Sequence, residues 1–141
     1  MNRIRRITNK SNARRGASAI EFAMIAPLMI LFTFGLIELG RFMLVKQTAT
    51  HATREGARIA VRPTSDSNDV LERVNEELAL LAIENATVEI EPSSIEDALP
   101  GSQVTVRVRV DIASISWIPD FFNFDAAQIV AESSMRREST N

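Results

Sequence analysis

Between Ala17 and Ile37 the chain carries 21 residues, of which Glu21 alone is charged. At about 1.5 Å of rise per residue, roughly 20 helical residues cross a hydrocarbon core near 30 Å. The run is long enough to span a bilayer, and in 141 residues it leaves room for one compact domain beside it. What precedes the run is equally constraining. Arg14-Arg15-Gly16-Ala17-Ser18-Ala19-Ile20-Glu21-Phe22 sets a basic segment, a glycine, small residues and one glutamate ahead of the apolar core. A secretory signal has its cleavage site after that core. Here a cut at the glycine would leave the apolar segment on the mature chain.

The net charge of −2 conceals an uneven distribution. Residues 1–16 hold Arg3, Arg5, Arg6, Lys10, Arg14 and Arg15 and no acidic residue, leaving ten basic against eighteen acidic residues in the rest. Clustered cations suit nucleic-acid phosphates, but a positive flank within a few residues of a membrane-length run is retained on the cytoplasmic side. The second reading is preferred, and no nucleic-acid partner is expected. The remainder of the chain then lies outside the cytoplasm, in the periplasm of a bacterium. Without cysteine there is no lipid-modified thiol, disulfide, thiol catalysis or sulfur-ligated zinc. His51 is the single histidine and reads as a solvated helix residue. No phosphate loop, paired catalytic acids or nucleophile elbow is present, so no catalytic residue, metal or cofactor is expected and the chain does not read as an enzyme.

The helix is expected to start near Ala17, tolerate Pro27 inside lipid, and emerge near Glu38 and Arg41, which are three apart and able to pair. Beyond them Phe42, Val45, Ala49, Ala52, Gly56 and Ile59 recur at spacings of three and four, while Lys46, Thr50, Arg54 and Arg58 form a polar face within reach of Glu55. The helix should therefore continue to about Val61, where Pro63 and a Ser/Asp/Asn run stop it. A second helix is predicted from a capping box of Asp69 with Glu72, burying Leu71, Val74, Leu78 and Leu81 and ending near Asn85. Its glutamates read as a solvated face. The period then changes to two: Thr87–Glu91, Gln103–Ile112 and residues 127–137 alternate as three strands, with a turn at Pro100-Gly101. Such a sheet needs one face covered. The fold class is α+β: a long N-terminal transmembrane-then-amphipathic helix, a second helix, and a small three-stranded antiparallel sheet. The stretch 114–125 holds Trp117, the only tryptophan, and three phenylalanines. These rings either cap the core or make an exposed contact.

The leader resembles that of type IV prepilins. Arg15-Gly-Ala-Ser-Ala-Ile-Glu-Phe-Ala, then Phe34-Gly-Leu-Ile-Glu-Leu-Gly-Arg-Phe, then Ala52-Thr-Arg-Glu-Gly-Ala-Arg58 together resemble the TadE family, pseudopilins of the tight-adherence (Tad, or Flp) pilus. Ser134-Met-Arg-Arg-Glu138 is similar to the end of that family's domain. The resemblance implies cleavage between Gly16 and Ala17 by a prepilin peptidase, and a minor part in pilus biogenesis alongside other Tad pseudopilins and assembly proteins. Glu21 would become residue five and Phe22 residue six of the mature chain. A carboxylate at residue five can pair with the new α-amino group of a neighbouring subunit, offsetting two desolvation penalties. Ala17 departs from the phenylalanine or methionine that opens major pilins, and Phe22 stands where Flp-type chains often have tyrosine.

The expected organisation is a basic leader (1–16), a transmembrane helix (17–41), its amphipathic continuation (42–62) and an extracytoplasmic domain (66–138). The chain would be a single-pass protein of the bacterial inner membrane, with a cytoplasmic N-terminus and a periplasmic domain, or would pass into the pilus. Glu38, Arg41, Arg54, Glu55, Arg58 and Trp117 form its candidate partner surface. The competing reading is an uncleaved, membrane-anchored protein with a periplasmic interaction domain.

Overall fold

One helix, α1 (Lys10–Ala60), runs unbroken through Pro27 and accounts for 51 residues of the computed structural model, which describes residues 10–115 and 127–138. It begins before Ala17, where the sequence reading started it. No proline separates Lys10 from the apolar run, and Ser11, Asn12 and Gly16 weaken helix propensity without breaking the helix. Within the segment Gly16–Ala60 the most apolar 18-residue window has a mean hydropathy of 2.2, and none of it is buried inside the chain. Ile20, Phe22, Met24, Leu28, Phe32 and Phe34 are all more than 60 % exposed. The hydroxyl of Thr33 is satisfied locally, donating to the Met29 carbonyl at 2.8 Å.

The chain divides into two units, Met1–Ile37 and Glu38–Asn141. In the second, the remaining part of α1 is joined by α2 (Ser67–Ala79) and three strands, β1 (Ala86–Glu91), β2 (Gln103–Asp111) and β3 (Gln128–Arg136). The sheet is antiparallel in the order β1-β2-β3, with Val88 opposite Val108 and Val108 opposite Ala131. The α+β class and the three-stranded sheet are as the sequence patterns require. Along β2 burial alternates, with Val104, Val106, Val108 and Val110 fully covered. On the opposite face Arg107 bonds to Glu132 at 2.7 Å and lies 3.6 Å from Glu89, and Arg109 reaches Glu89 at 3.1 Å.

Small residues on α1 allow its close approach to the sheet and α2. Ala49, Ala52, Ala57 and Ala60 are fully buried and Val45 nearly so. A Cβ added at Gly56 would sit 2.5 Å from Cγ2 of Val74, 3.4 Å from Val106 and 3.5 Å from Val70. Gly56 is therefore where α1, α2 and β2 meet, and the missing side chain is what lets them meet. Phe42 and Ile59, expected on the buried stripe, lie half-buried at its ends. Thr53 is buried as well, its hydroxyl donating to the Thr50 carbonyl.

Two expectations for α2 are corrected. The capping box is Asp66 with Asp69, not Asp69 with Glu72: the Asp69 N–H donates to Asp66 Oδ1 at 2.8 Å and the Asp66 N–H to Asp69 Oδ2 at 3.1 Å. A tertiary tie fixes that start. The Ser67 N–H donates to Glu96 Oε1 at 2.9 Å, and its hydroxyl donates to the Ser93 carbonyl at 3.1 Å. The helix also ends at Ala79, six residues before Asn85. Ile83 N–H bonds to the Leu78 carbonyl and Ala82 N–H to that of Ala79, with Ala82 at φ 52°. This is a Schellman ending with alanine in the left-handed position usually taken by glycine. It turns Ile83 back into the core beside Leu78. The inward side of α2 is Val70, Val74 and Leu78, while Leu71 and Leu81 are half-buried.

The Pro100-Gly101 turn closes as expected, with Gly101 at φ 81° and the Ser102 N–H bonded to the Leu99 carbonyl. After β3, Glu138 N–H bonds to the Val61 carbonyl and Arg137 donates to that of Pro63, pinning the chain to the end of α1.

Candidate functional site

The residues expected to matter for cleavage and assembly, Gly16, Ala17, Glu21 and Phe22, all stand on α1 within the first unit, and all are exposed. Glu21 follows Ala17 by four residues, which puts both on one side of the helix. A side chain at Gly16 would meet nothing within 4 Å. Among the described residues no packing contact calls for a glycine there, in contrast to Gly56. In a helix interior glycine costs about 1 kcal/mol relative to alanine, so Gly16 is a local weakness, exposed among the described residues.

The region extending from this glycine through the apolar run and into the buried stripe is the one that known sequences recognise. Residues 16–58 match the TadE-like protein family. The TadE-like segment opens on Gly16 and closes on Arg58, taking in the junction, the apolar run and the Arg54-Glu55-Gly56-Ala57-Arg58 block. Neither the curated proteins nor the solved structures gave a match to this chain.

The candidate surface residues fall in the second unit. Glu38 and Arg41 are half-buried, one turn apart, at its start. Arg54 is exposed, and Arg58 lies 3.2 Å from Glu55, the pairing their spacing suggested. Trp117 lies outside the described residues, as do residues 116–125 of the aromatic stretch. Within the TadE-like segment the outward face of α1 forms an open groove of about 460 Å³ lined by Met43, Lys46, Gln47, Thr50, His51 and Arg54.

His51 is exposed on α1, the solvated helix residue its sequence suggested, and it also has a neighbour on α2. Its Nδ1 lies 3.3 Å from Glu77 Oε2 on α2, and Glu77 also receives Arg73 at 2.6 Å. The hydrogen bond from Arg73 to Glu76, with Glu77 and Glu55 nearby, pushes the Arg73 guanidinium further up from its ordinary value. Glu77 is thus a seam residue between α1 and α2 and not part of the solvated acidic face. The spacing Met43, Gln47, Thr50, Arg54 marks the groove as the complement of the buried stripe, but no pattern on α1 alone identifies its partner on α2. Among the described residues no group of three or more histidine or acidic side chains is arranged to hold a metal.

Proposed function

We propose that this chain is a TadE-like minor pseudopilin acting in assembly of the Tad pilus, cut after Gly16 by a prepilin peptidase. The observation that carries the reading is the family match that opens on Gly16, at a helix position where no contact among the described residues requires a glycine. The helix passes through the junction, so a peptidase has to open it locally, and glycine lowers the cost of doing so. A residue without a side chain also lets a protein surface approach the scissile backbone closely. The basic leader stays in the cytoplasm and the second unit lies across the membrane.

Cleavage frees the Ala17 α-amino group. Glu21, four residues on, presents a carboxylate at the same end of an otherwise apolar helix. A carboxylate driven into lipid costs about 2.5 kcal/mol or more, and pairing with the amino terminus of an adjacent subunit relieves both charges at once. Such pairing selects a register in which neighbouring helices are offset by a fixed step. The large side chains exposed from Ile20 to Ile37 supply lipid contact before assembly and helix contact after it. Replacing Glu21 tests the assembly role. Glu21→Ala should be inserted and cut at the normal rate yet lower pilus output at least about tenfold; undiminished piliation would remove the assembly role.

A further inference from the structure

The outward faces of α1 and α2 carry opposite charge and lie side by side. From Met43 to Ala60, α1 has Lys46, Arg54 and Arg58 against the single acid Glu55, and α2 exposes Asp69, Glu72 and Glu76 against Arg73, with Glu77 in the seam. The contact His51–Glu77 marks the seam between them. Among the described residues Lys46, Arg54 and Glu72 are exposed and have no ion-pair partner. The outer face of the sheet differs. There Arg107 and Arg109 are already matched by Glu89 and Glu132, leaving no stripe of one sign.

We propose that the helical face of this domain pairs with a second copy of the same chain, the basic face of each α1 lying against the acidic face of the other α2. Two adjacent stripes of opposite sign make a self-complementary surface. Rotation by 180° about an axis along the seam lays each stripe on its opposite, which is an isologous two-fold contact. A lipid headgroup surface or a nucleic acid fits less well, since phosphates drawn to Lys46 and Arg54 would meet the carboxylates of α2 alongside. Each exposed pair is weak and screened by salt. Confinement of both copies to one membrane raises their effective concentration and compensates. The groove of about 460 Å³ between Met43 and Arg54 gives the partner side chains room to enter. The pairing goes beyond the pilus reading and does not depend on cleavage after Gly16.

The absence of cysteine makes the test direct. Two differently tagged full-length copies, one Arg54→Cys and one Glu72→Cys, are co-produced and oxidised in membranes. A mixed disulfide should form several-fold faster than between two copies of Thr87→Cys, an exposed position on the outer sheet face, and raised salt should slow it. Lys46→Glu in both copies should cut the yield about tenfold through like-charge repulsion. Adding Glu76→Lys, which reverses the facing stripe, should restore it. Equal yields at the two faces, no effect of charge reversal, or a disulfide to a different protein in place of the second copy would each overturn the pairing. Processing of the same samples is read separately from the mature N-terminus.

Discussion

The two parts of α1 are one continuous helix written for different surroundings. From Gly16 to Ile37 its large side chains are exposed, and a Cβ added at Gly16 or Gly35 would meet nothing within 4 Å among the described residues. From Glu38 to Ala60 the buried positions are alanine, glycine, valine and threonine, and the helix lies close against α2 and β2. Size has changed places with exposure. In water, large apolar residues outside would be a liability; in lipid or among neighbouring helices they are the contact surface. The second part buries its stripe in its own domain, where small residues set how near the sheet can come. A single helix thus holds an environment-facing half and a self-facing half, and the TadE-like match spans both.

That contrast makes glycine substitution a sharp probe. Alanine at either Gly56 or Gly35 gains about 1 kcal/mol of helix propensity. At Gly56 the new Cβ also meets Val74 at 2.5 Å, and β-branched Val74 has little rotamer freedom with which to yield. Overpacking of this kind costs about 1–3 kcal/mol. Gly56→Ala should therefore raise hydrogen exchange of the β2 amides by roughly tenfold, while Gly35→Ala leaves them unchanged. Equal behaviour of the two variants would break the distinction between the halves.

A smaller effect should come from the end of α2. Ala82 holds φ 52°, a conformation costing about 1–2 kcal/mol in a residue with a Cβ. Glycine removes that cost but gains unfolded-state entropy. Ala82→Gly should stabilise the domain by about 0.5–1 kcal/mol, seen as slower β2 exchange with none of the apolar half of α1 affected.

The smallest effect concerns the Ser67–Glu96 tie. The Ser67 N–H holds the Glu96 carboxyl below the usual carboxylate range. With the folded value depressed, the contribution is complete above the unfolded pKa and is lost as pH falls through the folded one. Domain stability should therefore fall between neutral and acidic pH, and Glu96→Gln should make that fall slightly shallower. An unchanged acid limb in the variant would show that the tie contributes nothing to the pH dependence.

Much of this was legible in the sequence because the relevant periods are strong. The alternation of Val104 to Val110 and the stripe Val45, Ala49, Ala52, Gly56 each name a buried face without help from other segments. What escaped depended on contacts between distant segments. Asp66 and Asp69 each head a plausible capping box, and the choice is made by Ser67 meeting Ser93 and Glu96, more than twenty residues away. The stop at Ala79 relies on an alanine in a glycine conformation, which no residue type announces. His51 acquired its partner only when α2 came alongside. Arg137 gave no signal either: it is 7 % exposed and bonded to the Pro63 carbonyl, beyond the reach of strand alternation to explain. The glycine at which the family match opens stood out in the order basic, glycine, small, acid, apolar. The helix passing through it was not, since the leader has no strong periodicity of its own.

The most direct test of the account is the mass of the protein's mature amino terminus, isolated from cells that make the pilus machinery. The chain should begin at Ala17, and that terminus should be lost when Gly16→Ala slows cleavage so that the precursor accumulates. A mature protein that still begins at Met1 in those cells would contradict it.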